Sequence, residues 1–79
     1  MSRTRAEIGR LERLAEAAYD AMYDARPPLA KAHYEDAMLH LARALAEAER
    51  VDDVAAFERL TLRRDHIRNV YNNQFRGVG

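Results

Sequence analysis

The chain has 79 residues and contains no cysteine, no tryptophan, two prolines and three glycines. Without cysteine, it can form neither a disulfide framework nor a thiolate metal site. No apolar run approaches the roughly 18 residues needed to span a bilayer. The opening segment MSRTRAEIGRL is charged from its start, so we expect no secretory signal and no membrane association. The cytoplasm is therefore the expected location.

Residues able to act as nucleophiles are also scarce. Ser2 is the only serine, Thr4 and Thr61 are the only threonines, and no glycine-rich phosphate loop occurs. A nucleophilic site needs such a hydroxyl or thiol beside a base. The chain also lacks the inward-facing Glu and Glu-x-x-His elements of dimetal helical bundles. We expect no catalytic activity and no cofactor.

Most of the chain consists of strong helix formers, above all Ala, Leu, Glu and Arg, with 33% charged residues. The length corresponds to a single domain spanning residues 1–79. Apolar residues recur at spacings of three and four, which is the period of an α-helix with one buried face. These features predict an all-α protein.

The first helix is predicted over about residues 5–25. Thr4 and Glu7 fit a capping box, in which each side chain accepts a hydrogen bond from the other's backbone N–H. The segment RPP then ends the helix, because Pro27 disfavours helical geometry at Arg26 and Pro28 suits the first turn of a new helix. The apolar stripe of this helix consists of Ile8, Leu11, Ala15, Ala18, Met22 and Ala25.

The second helix is predicted over about residues 28–50 and is apolar on two sides. A helix of this kind favours a middle layer with neighbours on both sides. Its main stripe consists of Ala30, Tyr34, Ala37, Met38, Leu41, Ala44, Leu45 and Ala48, and its second, weaker stripe of Ala32, Leu39, Ala42 and Ala46.

The third helix is predicted over about residues 53–75, followed by a frayed tail at 76–79 with Gly77 as a helix cap. Asp52 or Asp53 can cap its start. Because no glycine or proline separates the second helix from the third, a single bent helix remains an alternative. The expected architecture is an up-down-up three-helix bundle, or a helical hairpin plus a third helix.

The predicted core is small and rich in alanine, which favours association with a second copy. Leu39 and Leu62 lie away from the main stripes of their helices and most need a partner. A two-fold dimer is the simplest assembly that would cover them.

The segment RLTLRRDHIRNVYNNQF, residues 59–75, is unusually basic for this neutral chain. Residues 59–79 hold five arginines against one aspartate, a net charge of +4, whereas residues 1–58 carry a net charge of −4. Internal pairing is the simplest use of this asymmetry. Helical spacing also places Arg64 among the apolar residues Phe57, Leu60, Ile67, Tyr71 and Phe75.

Three interpretations of Arg64 follow, because an unpaired buried guanidinium is costly. It pairs with a carboxylate of the first or second helix, or it lies at an oligomer interface. Alternatively, the end of the third helix projects and presents Tyr71 and Phe75 to a partner.

His33, Asp36 and His40 share one face of the second helix and are weak candidates for a metal site. Asp36 and His40 have the one-turn separation of paired metal ligands, but no third ligand is evident. A metal-binding protein is therefore one alternative function.

A nucleic-acid-binding module is another alternative, with the arginines of the third helix as phosphate contacts. The arginines are spread around the helix and the chain is neutral, which counts against it. The favoured prediction is a small protein-interaction module without catalytic activity: a homo-oligomeric adaptor, a chaperone-like protein or an accessory subunit, with another protein as an alternative partner. Its predicted surface consists of Leu39, Ala42, Ala46, Arg64, Arg68, Tyr71 and Phe75.

Overall fold

The computed structural model describes residues 2–74, with side chains from residue 4 onward. This part of the chain forms three α-helices, α1 (Ser2–Asp24), α2 (Pro27–Arg50) and α3 (Val54–Gln74), and no strand. The all-α prediction is confirmed. Phe75, the predicted cap Gly77 and the predicted tail lie outside the described residues.

Helix α1 begins earlier than the sequence pattern indicated. It starts at Ser2, so Thr4 lies inside the first turn rather than at a cap. The predicted capping box of Thr4 and Glu7 is therefore wrong. Nothing in the residue types before Thr4 opposes helical geometry, and the helix continues through them.

The connection between α1 and α2 follows from its prolines. Arg26 precedes Pro27 and adopts the extended conformation, with φ −70° and ψ 158°, that a residue before proline favours. Proline fits the first turn of α2 because its missing N–H would have no intrahelical partner there. The N–H of Ala30 donates to the Arg26 carbonyl at 2.7 Å, which closes the first turn.

Helices α2 and α3 are separate, which excludes the single bent helix within the described residues. Asp52 adopts a left-handed conformation with φ 59°, which asparagine and aspartate tolerate better than most residues. Asp53 then caps α3, because its Oδ1 accepts a hydrogen bond from the Ala56 N–H at 3.1 Å. Of the two predicted caps, the structure uses Asp53.

The core is built from the main apolar stripes of the three helices. Helix α2 packs against both α1 and α3, as the middle helix of the bundle. Four alanines of α2 are fully buried, and their small side chains let the neighbouring helices approach closely. The central cluster comprises Ile8, Leu11, Ala15, Tyr19, Met22, Ala30, Leu41, Ala44, Leu45, Ala48, Ala56, Leu60 and Ile67.

Helices α1 and α3 run parallel and are joined by long side chains. Arg59 pairs with Glu12 and Arg63 pairs with Glu16, in both cases across 47 positions of the chain. Tyr34 of α2 stacks on Tyr71 near the end of α3, with ring centroids 4.0 Å apart. The early part of α2 thus meets the late part of α3, so these two helices are antiparallel and the order is up-down-up.

Candidate protein-interaction surface

The second apolar stripe of α2 is exposed along its whole length. Its members are Ala32, Leu39, Ala42 and Ala46, here called the outer face of α2. Leu39 is the largest of them, and 47% of its surface is exposed. The three alanines on both sides of this leucine have small side chains, so another helix could approach the backbone of α2 closely.

The outer face points directly away from the core. Ala30 and Ala48 each lie nine residues from Leu39, which is about two and a half helical turns. Both alanines are fully buried against the bundle. Leu39 therefore lies on the side of α2 opposite these two buried alanines, and about half of its surface is exposed.

Charged side chains border the outer face on both sides. Lys31, Asp36, Arg43 and Glu49 are all exposed. Asp36 lies 3.5 Å from the His40 Nε2 within the same helix. The side chains of Lys31, Arg43 and Glu49 form no ion pair with the described residues. These three side chains can therefore form ion pairs with charged groups of another molecule.

Arg64 does not pair with a carboxylate of α1 or α2, so that interpretation is wrong. Its Nε and Nη2 donate to the Oδ1 of Asp65, the next residue in α3, at 3.3 and 3.2 Å. The side chain is about one third exposed. The long side chain of arginine carries its guanidinium to the edge of the apolar stripe, where the adjacent carboxylate and solvent satisfy its charge and its hydrogen-bond donors.

The remaining predicted interface residues of α3 do not adjoin the outer face of α2. Tyr71 is half-buried and stacks on Tyr34, which belongs to the side of α2 that packs on α3. Arg68 is exposed and lies 3.9 Å from Asp65. The structure therefore does not bring Arg68 and Tyr71 together with Leu39, while Phe75 lies outside the described residues.

Two arginines of the basic segment are engaged within the chain. Arg59 donates to both carboxylate oxygens of Glu12, at 2.8 and 3.2 Å. Arg63 donates to both oxygens of Glu16, each at 2.6 Å. These hydrogen bonds raise the pKa of both guanidinium groups above the ordinary value for arginine. The expected internal use of the charge asymmetry is confirmed for these two pairs.

Tyr19 forms the centre of a cluster that the sequence analysis did not anticipate. Its hydroxyl shares a 3.0 Å hydrogen bond with Tyr23, and the Arg63 guanidinium lies 5.0 Å from the ring centroid. His66 approaches the ring edge-on. Burial, followed by the contact with Tyr23, raises the pKa of Tyr19 to about 12. The same separation of 47 positions relates three residues of α1 to three of α3: Glu12 to Arg59, Glu16 to Arg63 and Tyr19 to His66. This repeated separation is the sequence signal that could have revealed the cluster.

The candidate metal residues make one contact among themselves, that of Asp36 with His40. The described residues contain no group of three or more His, Asp or Glu side chains placed to hold a metal ion. Nδ1 of His40 is buried and has no hydrogen-bond partner within residues 2–74. Metal binding by His33, Asp36 and His40 stays a prediction.

Other apolar side chains are exposed on α3, and an open groove lies beside this helix. Leu62 is 71% exposed and Val54 is 64% exposed. A groove of about 320 Å³ between the first halves of α1 and α3 is open to solvent and is flanked by the ion pair of Arg59 and Glu12. Val54 and Leu62 each line an open groove together with Phe57, so α3 carries an exposed apolar surface of its own.

Fold and surface together define a small three-helix bundle whose middle helix keeps one apolar face uncovered. No family model, no curated protein and no solved structure matches the chain. Within residues 2–74, every helix is too short or too polar to cross a membrane.

Proposed function

We propose that this protein is a helical protein-interaction module, a homo-oligomeric adaptor, chaperone-like protein or accessory subunit, without catalytic activity of its own. The observation that carries the proposal is the outer face of α2. Its apolar side chains continue along the side of the helix that the other described helices leave open. The cytoplasm is the proposed location.

The engagement of the basic segment supports this proposal over a nucleic-acid-binding function. Arg59 and Arg63 each donate from Nε and Nη2 to both oxygens of one carboxylate of α1. Phosphate binding through these two guanidinium groups would compete with ion pairs that join α1 to α3. The outer face of α2, by contrast, can be covered without breaking any contact within the bundle.

Light scattering over a range of protein concentrations tests the proposal. The molar mass should rise with concentration, and Leu39→Glu should abolish the rise because it places a charge on the apolar face. Leu62→Glu is the matched control, since it changes an even more exposed leucine on α3. A chain that stays monomeric at every concentration would contradict self-association.

A further inference from the structure

We infer that the outer face of α2 binds the same face of a second copy, with the two α2 helices antiparallel and a two-fold axis beside Leu39. This inference rests on the proposed function and specifies its partner and geometry. It depends on the order of charges along α2, which brings opposite charges to nearly the same height in only one of the two possible directions.

The antiparallel arrangement pairs opposite charges along both edges of the face. A two-fold axis beside Leu39 places Arg43 of one copy within one residue, about 1.5 Å, of the height of Asp36 on the other. It also brings Glu49 within two residues, about 3 Å, of the height of Lys31. At about 100° per residue, Arg43 and Asp36 lie on one side of the Leu39 line, and Glu49 and Lys31 lie on the other. Each pairing occurs twice, because the symmetry repeats it.

The parallel arrangement does not give these close pairings. With the helices in the same direction, the two-fold axis runs along them and brings the side that carries Arg43 and Asp36 against the side that carries Lys31 and Glu49 on the other copy. Opposite charges then lie five or six residues apart along the helices, about 8 to 9 Å, whereas in the antiparallel arrangement they lie within about 3 Å. The charge order therefore selects the antiparallel direction.

The apolar residues fit the same axis. Leu39 meets Leu39 at the centre, and Ala32 of one copy lies opposite Ala46 of the other. Alanines at both ends of the contact allow the helix axes to converge around the central leucines. Helices α1 and α3 remain on the far side of α2, so each α2 becomes part of a middle layer with neighbours on two sides.

The expected complex is weak and reversible. Helix α2 has 24 residues, a length of about 36 Å. One pair of helices buries less than the roughly 1,200 Å² of a standard interface, so its dissociation constant should be about micromolar or weaker.

Single cysteines test the direction, because the chain has none of its own. In the antiparallel dimer, two copies of Ala46 lie about 20 Å apart along the helices, too far for a disulfide, which requires Cα atoms within about 7 Å. Ala46→Cys alone should therefore give no cross-linked dimer under mild oxidation. A mixture of Ala46→Cys and Ala32→Cys chains, distinguished by a mass tag, should give the mixed dimer.

Charge reversal provides a second measurement at exposed positions that leave the core intact. Asp36→Arg alone and Arg43→Asp alone should each weaken the dimer at least several-fold, because each creates two repulsive pairs. An equal mixture of the two variants should recover the association, since all facing charges are then opposite. Circular dichroism and thermal unfolding verify that each variant is folded.

The outcomes separate the inference from the proposed function. Cross-linking of Ala46→Cys with itself, or a dimer that both charge reversals leave unchanged, would overturn the antiparallel α2 dimer while self-association stands. A chain that is monomeric at all concentrations would overturn both. Cross-linking of the mixed pair, together with recovery in the charge-reversal mixture, would support the inference.

Discussion

Arg63 of α3 donates two hydrogen bonds of 2.6 Å to the two carboxylate oxygens of Glu16 of α1. The pair lies one helical turn after the similar pair of Arg59 and Glu12. Because both pairs have the same separation along the chain, they fix the register in which α3 lies against α1. The basic segment of this neutral protein therefore helps to hold its own third helix in place.

A double-mutant cycle on Arg63→Ala and Glu16→Ala should show a favourable coupling of about 0.5–1 kcal/mol, a value reduced by the partial exposure of both side chains. Urea unfolding of the four proteins measures it. The same cycle on Arg10 and Glu7, an exposed pair within α1, should give a smaller coupling. Equal values for the two cycles would contradict a register-fixing role of Arg63.

Leu60 and Leu62 are two residues apart in α3 but differ completely in burial. Leu60 is fully buried, whereas Leu62 is 71% exposed. Leu60→Ala should therefore lower the free energy of unfolding by about 2–5 kcal/mol, a large part of the roughly 4–12 kcal/mol expected for a chain of this length. Thermal and urea unfolding measure the change.

Leu62→Ala serves as the control and should change the free energy of unfolding by less than about 0.5 kcal/mol. Similar losses for the two variants would show that the side of α3 bearing Leu62 is covered in solution. That result would move the interaction surface from α2 to α3.

The turn between α2 and α3 gives a prediction about two adjacent aspartates. Asp52 holds a left-handed conformation, so Asp52→Ala should be about 1 kcal/mol less stable than Asp52→Gly, which tolerates a positive φ. Asp53→Ala should cost about 1 kcal/mol, because the Ala56 N–H loses its capping oxygen. Urea unfolding of the three variants measures these differences. An Asp52→Ala protein as stable as the glycine variant would contradict the left-handed turn.

Helical periodicity predicted the three helices and most of the core, because burial of one face per helix dominates the placement of apolar residues. It also predicted the second stripe of α2 that the structure leaves exposed. The partner of Arg64 could not be predicted, since the choice between Asp65 and a carboxylate of another helix depends on side-chain reach. The start of α1 was misplaced, because a capping pattern marks a possible end but does not prevent a helix from continuing.

The stacking of Tyr34 on Tyr71 and the cluster around Tyr19 also escaped the sequence analysis. Both depend on the register between helices, and periodicity within a single helix carries no information about register. The repeated separation between carboxylates of α1 and arginines of α3 does carry such information. It becomes decisive only once α1 and α3 are known to be parallel neighbours.

The buried phenol of Tyr19 predicts a loss of stability in alkali. Its pKa is about 12 in the folded protein, compared with an ordinary value of 10.0, so the folded state retains a proton that the unfolded state releases. The stability that the protonated phenol contributes to the folded state is fully present below pH 10 and is lost as the pH rises towards 12. Over this interval the free energy of unfolding should fall by up to about 1.4 kcal/mol per pH unit.

Tyr19→Phe provides the matched control, because it removes the ionisable group and keeps the ring beside Arg63. The variant should lack this part of the alkaline decline, although it loses the hydrogen bond with Tyr23 at every pH. Urea unfolding at several pH values between 9 and 12 measures the two curves. Near-ultraviolet titration of the two proteins should differ by one phenol, which ionises near pH 12 rather than near the ordinary pH of 10.0. Parallel stability curves would mean that the Tyr19 hydroxyl is accessible to water in the folded protein.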